Sequence, residues 1–286
     1  MLKEIRIGDE PLDLDYTFTS GQIFRWQKVD GWWRGWVNRS RVLLKKTDGV
    51  LQFRSLPDVP SHVVSNFLSL QISHESVARS LPDDAFTKYL VKKYRGLRIL
   101  RQDQWECSMA YIISPSLSID VINSILARIC AEFSGTSDGP LPEPAELLKM
   151  KRPSNNFLGK KWYYLLGLAK KVYSGEFDFR LLEDLPYDVA WRKLVVEEPH
   201  FLGIGPKVAD CILLFSAGKY SSFPIDRWVL RGLKMHYSFL TQGVNSSSDV
   251  LSVKKYAKVS GAARSYFGEY AGFLQEYLFM HLRSGS

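Results

Sequence analysis

Residues 202–207 read Leu202-Gly203-Ile204-Gly205-Pro206-Lys207, and the reading of the whole chain turns on them. Two glycines bracketing one apolar residue permit a tight turn with positive φ and a close backbone approach to a ligand. Pro206 suits the first position of a helix, where its missing N–H is no loss, and the mostly apolar stretch to Ala217 continues as that helix. The result is a helical corner whose N–H groups face outward at a helix end that favours an anion. Lys207 lies in the first turn, bordering apolar neighbours. A lysine taken out of water has a lowered pKa and can act as a nucleophilic amine; a solvated lysine is the plain alternative. Downstream, Phe223-Pro224-Ile225-Asp226 leads into a helix to His236, so Asp226 is an N-cap candidate. A capping carboxylate is rigidly aimed and could stabilise positive charge or manage protons near Lys207.

Outward from this corner the period is helical. Ile122, Ile125, Leu126, Ile129, Cys130 and Phe133 follow helical spacing, with Ser118 as N-cap. Further helices are predicted over Phe157–Tyr173, Tyr187–Val196, Val253–Ser260 and Ala263–Leu282, with a loop over Ser134–Pro144. The first hundred residues read differently. Four β-prone runs, Gln22–Lys28, Trp32–Val37, Arg41–Lys46 and Val50–Arg54, are separated by Asp30-Gly31, Asn38-Arg39-Ser40 and Asp48-Gly49, which are hairpin signals. Pro57–Leu70 then reads as helix. The fold class is therefore α+β: an N-terminal antiparallel sheet domain, residues 1–100, followed by an all-helical domain, residues 101–286.

Composition narrows the function classes. Lys and Arg number 38 against 30 Asp and Glu, a net charge of +8 that steers a chain toward nucleic acid or an acidic surface. No apolar run approaches the roughly 20 residues that cross a bilayer, and charge appears from Lys3 onward, so no membrane partner and an intracellular location (cytoplasm and nucleoid, or nucleus) are expected. Cys107, Cys130 and Cys211 are scattered, which argues against a disulfide framework and cannot build a four-thiolate iron–sulfur cluster. The histidines form no HxxxH or HExxH pair, so no metal site is expected.

Taken together, Leu-Gly-Ile-Gly-Pro-Lys and Pro-Ile-Asp226 resemble the signature of helix-hairpin-helix DNA glycosylases. Gly21-Gln22-Ile23-Phe24-Arg25-Trp26, the helix around Asp103–Ile113, Lys207-Val208-Ala209-Asp210-Cys211 and Tyr270–Phe279 are similar to segments of the 8-oxoguanine DNA glycosylases, in the same order, over about residues 12–283. What the resemblance implies is a monomeric glycosylase and abasic-site lyase that flips an oxidised guanine out of double-stranded DNA. Lys207 would attack C1′ and form a Schiff base, and Asp226 would support the departing base and the oxocarbenium-like charge. Gly21 would offer its carbonyl to the N7–H that only the oxidised base carries. Gln275 would read the Watson–Crick edge, while Phe279 and Cys211 would sandwich the purine. Gly203 and Gly205 would present backbone N–H groups to a DNA phosphate, with a monovalent cation on the hairpin carbonyls as the one ion admitted; no other cofactor is expected. Lys160 and Lys161, with Trp162, Tyr163 and Tyr164 interleaved, are the basic residues expected on phosphates.

Several positions depart from the family pattern. Ser114-Pro115-Ser116-Leu117-Ser118 lacks the asparagine run that enters the vacated space, Val121 stands near an expected arginine, Trp228 replaces a histidine, and a lysine near Gly159-Lys160-Lys161 replaces a wedge tyrosine. These changes bear on the base opposite the lesion. Two other functions are weighed. A helix-hairpin-helix glycosylase for another damaged base, such as an alkylated purine, would share Asp226 without needing Lys207, Gly21 or Gln275. A non-catalytic DNA-binding hairpin would not need Lys207 and Asp226 together.

Overall fold

The computed structural model describes residues 1–153, 157–197, 200–244 and 251–284. Five strands form one antiparallel sheet: β1 (Lys3–Arg6), β2 (Gln27–Val29), β3 (Trp32–Val37), β4 (Ser40–Thr47) and β5 (Val50–Leu56), in the spatial order β1-β5-β4-β3-β2. The three hairpin turns are Asp30-Gly31, Asn38-Arg39 and Asp48-Gly49, and both central residues of each have positive φ. Such turns match the right-handed twist of the strands they join. They fix a register that pairs Trp33 with Leu44 and Leu44 with Phe53, so that Val42, Leu44, Leu51 and Phe53 are fully buried on one face. That face packs on Phe18, Phe67 and Leu68.

The helices are α1 (Leu14–Thr19), α2 (Ser61–Phe67), α3 (His74–Ser80), α4 (Ala85–Lys93), α5 (Gln104–Ile113), α6 (Ile119–Ser134), α7 (Pro144–Leu147), α8 (Lys161–Tyr173), α9 (Leu181–Asp184), α10 (Tyr187–Val195), α11 (Pro206–Phe215), α12 (Arg227–His236), α13 (Val253–Phe267) and α14 (Ala271–Ser284). Strands first and helices after confirm the α+β class. A second hydrophobic core takes in Phe24 and runs from Val77 in α3 to Met280 in α14, and α4 packs on α14. The 134–144 loop and α7 are tied to the sheet by Arg41 and Arg34 on Asp138 and by Arg39 on Glu143 and Glu146.

Some boundaries differ from the sequence reading. The run Gln22–Lys28 is strand only from Gln27, because Arg25 has φ 64 and breaks the extended path. The helix predicted from Pro57 begins at Ser61, and the one predicted from Phe157 begins at Lys161. The predicted break between Ser260 and Ala263 is continuous helix; α13 runs to Phe267, and the break is the single 3-10 turn Gly268–Tyr270. β1 pairs with β5 across the full length of the hairpins, a pairing that no local turn announces. Among the described residues no helix is long and apolar enough to cross a membrane.

Candidate active site

Lys207 projects from the first turn of α11, directly after Pro206. Its side chain is half-buried, and Nζ lies 4.9 Å from the centroid of the Tyr111 ring, a cation over an aromatic face. Tyr111 comes from α5, is buried, and donates its hydroxyl to the Gln22 carbonyl at 3.0 Å. One turn beyond Lys207 on α11 is Cys211, also buried; burial pushes its thiol up to about 12, against the nearby Lys207. It is therefore a neutral, polarisable group at ordinary pH rather than a nucleophile.

Asp226 caps α12. Its Oδ1 accepts from the Val229 N–H at 2.8 Å. Burial raises its pKa above the ordinary aspartate value, while the Val229 N–H, the Lys207 charge and the Trp228 N–H oppose that rise. The carboxylate is thus fixed in direction by the cap and set in the field of the Lys207 ammonium.

A third wall comes from the two ends of the described chain. Gly21 has φ 97, and a methyl group added there would come within 3.0–3.2 Å of Arg283 Nη1, Ile119 Cδ1 and Phe279 Cε1. Glycine is required on both counts, backbone and space. The loop is locked by Gln22, whose Nε2 donates to the carbonyls of Thr17 (3.2 Å) and Arg98 (2.8 Å) and to Ser20 Oγ (3.0 Å), while Oε1 accepts from Leu100 N–H at 2.8 Å. From α14, Gln275 and Phe279 lie one turn apart on a common face. Gln275 is buried and its Oε1 makes no hydrogen bond among the described residues. An unmade bond at a buried acceptor costs about 1–3 kcal/mol, a cost that a donor on a bound ligand would remove.

The two hairpin glycines differ. Gly203 has φ 89, and a Cβ there would meet Tyr164 Cδ2 at 2.8 Å, so the turn demands glycine. Gly205 has φ −90 with open space around it. The positive-φ reading applies to the first alone; the second leaves a clear approach to the N–H groups of α11. The two basic residues at the start of α8 also differ. Lys160 is exposed. Lys161 is half-buried and its ammonium donates to the carbonyls of Ile113 and Pro115, at the end of α5. A cation is favoured there by the helix dipole, and burial lowers its pKa.

Comparison with known proteins bears on this arrangement. Residues 4–107 match the family model described as 8-oxoguanine DNA glycosylase, N-terminal domain. A probable N-glycosylase/DNA lyase of Methanothermobacter thermautotrophicus is 28% identical, covering 98% of this chain and 95% of that protein. Among solved structures, MBOgg1 in complex with a low-affinity DNA ligand superposes with a TM-score of 0.85 at 27% identity, covering 99% of this chain and 96% of that one. The Clostridium acetobutylicum 8-oxoguanine glycosylase/lyase, in complex with double-stranded DNA containing cytosine opposite 8-oxoguanine, gives 0.81 at 27% identity, covering 100% and 98%. Residues 4–107 thus carry the N-terminal domain of the 8-oxoguanine DNA glycosylases, and over nearly its whole length the chain is similar to N-glycosylase/DNA lyases of that kind.

The glycosylase's pocket contains residues that sequence reading does not single out. Tyr111 sits in an apolar helix without any distinguishing spacing. Gln22 carries a weak signal, an amide between a glycine and an apolar pair. Glu276 is the third: it is 2% exposed, its Oε1 makes no hydrogen bond among the described residues, and burial raises it to about 7, against Ser20 and Arg283. Unfolded glutamate titrates near 4.5, so between 4.5 and 7 the native state holds a proton that the unfolded chain has lost. Stability then falls as pH rises through that window and stays lowered above it. Glu276→Gln cannot ionise. Its melting temperature should exceed wild type at pH 8, by an amount corresponding to about 3 kcal/mol at 1.36 kcal/mol per pKa unit, and match it near pH 4.5. A gain of the same size at both pH values would show that ionisation of Glu276 is not the cause.

Proposed function

We propose that this glycosylase flips 8-oxoguanine out of double-stranded DNA, excises it with Lys207 as nucleophile, and then nicks the abasic strand by β-elimination. What supports this reading is that the Lys207 amine lies over Tyr111, whose hydroxyl bonds the residue after Gly21, that the Lys207 charge acts on the capped Asp226 carboxylate, and that Gly21 lies against Phe279 of the helix that carries Gln275. The Lys207 amine attacks C1′ while the C1′–N9 electron pair leaves with the base, and the proton shed by the attacking nitrogen goes to the departing base. Asp226 stabilises the positive charge that builds on the sugar. After ring opening the nitrogen is a protonated Schiff base, and loss of a C2′ proton expels the 3′-phosphate. Lesion choice rests on Gly21: its carbonyl accepts the N7–H of the oxidised base, whereas normal guanine would set an acceptor against an acceptor. Phe279 and Cys211 cover the two faces of the purine, and the free Gln275 Oε1 accepts from its Watson–Crick edge.

Duplex binding is assigned to the α11 N-terminus at Gly203–Gly205 and to Lys160, on phosphates, with a monovalent cation on the hairpin carbonyls as the one bound ion. Lys161 acts differently: tied to Ile113 and Pro115, it holds the 114–118 loop that stands at the rim of the vacated space. Work on genomic DNA places the enzyme in the cytoplasm and nucleoid, or the nucleus. Excision from duplexes carrying 8-oxoguanine opposite C, A, G and T is the test; release of an alkylated purine with no release of 8-oxoguanine would overturn the reading. Discrimination among the four partners should be relaxed, because Ser116, Leu117 and Val121 offer a single short hydroxyl to the orphaned base, and each good bidentate contact is worth about 1–3 kcal/mol. A preference for cytosine above about 100-fold, roughly 2.7 kcal/mol, would mean that another residue reads that base.

A further inference from the structure

Asp210 is a carboxylate in the apolar face of α11, one turn beyond Lys207, and it is fully buried. Such a group is tolerated only when its oxygens are satisfied. Four hydroxyls do so: Tyr187 and Ser222 (2.9 Å) donate to Oδ1, and Tyr256 (2.6 Å) and Ser260 (3.4 Å) donate to Oδ2. The knot joins α10, α11, the 220–225 segment and α13. One of its members reaches further. The Tyr256 oxygen, while donating to Asp210, accepts from the Ile225 N–H at 3.0 Å, and Ile225 immediately precedes the capping Asp226.

We propose that Tyr256, held by Asp210, is a positioning residue for Asp226: it fixes the peptide entering the cap and thereby the aim of the carboxylate. A hydroxyl carries one proton and two lone pairs, so Tyr256 can serve both contacts at once. Donation to a charged oxygen polarises it and makes it a better acceptor for Ile225 N–H. Asp226 holds the extended cap geometry, φ −100 and ψ −174, that turns its side chain back onto Val229 N–H. Without the Ile225 tether that geometry is free to relax, although the helix beyond it is intact. Lys207 stands on the same α11 and does not depend on this contact, so the two halves of the chemistry separate.

This rests on the assignment of Asp226 to base excision. The test compares single-turnover excision of 8-oxoguanine with borohydride trapping at a preformed abasic site, each well below the variant's melting temperature. Tyr256→Phe should slow excision about tenfold or more and leave trapping within about twofold. Tyr187→Phe removes an equivalent hydroxyl from the same carboxylate without touching residue 225, and should leave the ratio of the two rates unchanged. Should Tyr256→Phe fail to fold, Asp210→Asn, which keeps an acceptor for Tyr256 but removes its charge, should show the same split with a smaller excision loss. Equal losses in both assays, or unimpaired excision in the folded variant while Asp226→Asn is impaired, would overturn the proposal. Normal excision by Asp226→Asn would instead overturn the assignment of Asp226, and this inference with it.

Discussion

Replacing Lys207 with glutamine is expected to abolish the borohydride-trapped adduct and to lower base excision by about three orders of magnitude, roughly 4 kcal/mol. Among the described residues the side chain is the one amine set over Tyr111, at the head of α11, and only an amine can form the imine that borohydride reduces. Glutamine keeps much of the aliphatic stem and a polar end, so the helix start is undisturbed. The residues assigned to lesion recognition come from other elements: Gly21 from the loop after α1, Gln275 and Phe279 from α14. Binding to an 8-oxoguanine duplex should therefore stay within a few-fold of wild type. An adduct at normal yield in this variant would remove Lys207 from the chemistry.

Asp226→Asn is expected to slow excision by about 10²–10³, the size of effect seen when one preorganised electrostatic group is removed, about 2.7–4 kcal/mol. Asparagine caps a helix about as well as aspartate, so the bond to Val229 N–H and the start of α12 survive. What is lost is charge. Burial raises the pKa of Asp226, so in the wild type excision should fall on the acid side as this group protonates, at a pH above that of an ordinary aspartate. The acid limb assigned to Asp226 should be missing in the variant. Melting temperature and a pH–rate profile measured together separate the cap from the charge: a large drop in melting temperature with a normal profile would make Asp226 only a cap.

Much of this was legible in the amino-acid order, for local reasons. Asp-Gly turns specify hairpins, Ser118 and Asp226 announce helix starts, and the Gly203–Lys207 corner with its downstream aspartate marks the two positions proposed for the chemistry. Other features depend on partners far away in sequence. β1 is four residues long and exists because β5 offers an edge. The stretch from Gly21 to Trp26 has β-prone composition, yet the Gln22 amide takes up backbone groups of Thr17, Arg98 and Leu100 in place of a ladder. Lys161 reads as a phosphate ligand until the carbonyls of Ile113 and Pro115 are seen beneath it. Asp210 did carry a signal: a carboxylate inside an apolar helix must be answered by something. The Tyr187, Ser222, Tyr256 and Ser260 that answer it lie on three other segments.

The closure of Gly21 against α14 has a consequence for biosynthesis. Arg283 donates to the carbonyls of Thr19 and Ser20, and its guanidinium lies over Phe279, so one side of the pocket proposed for the base joins residues 263 positions apart. Contacts of such separation form late, because the loop they close must be ordered first. As the chain leaves the ribosome, the hairpin, Lys207 and Asp226 have all been synthesised before α14 emerges. On the proposed assignments, the amine is thus made ahead of the wall that would restrict it to an oxidised base, and α14 would be the element that turns a nascent DNA-binding scaffold into a selective enzyme.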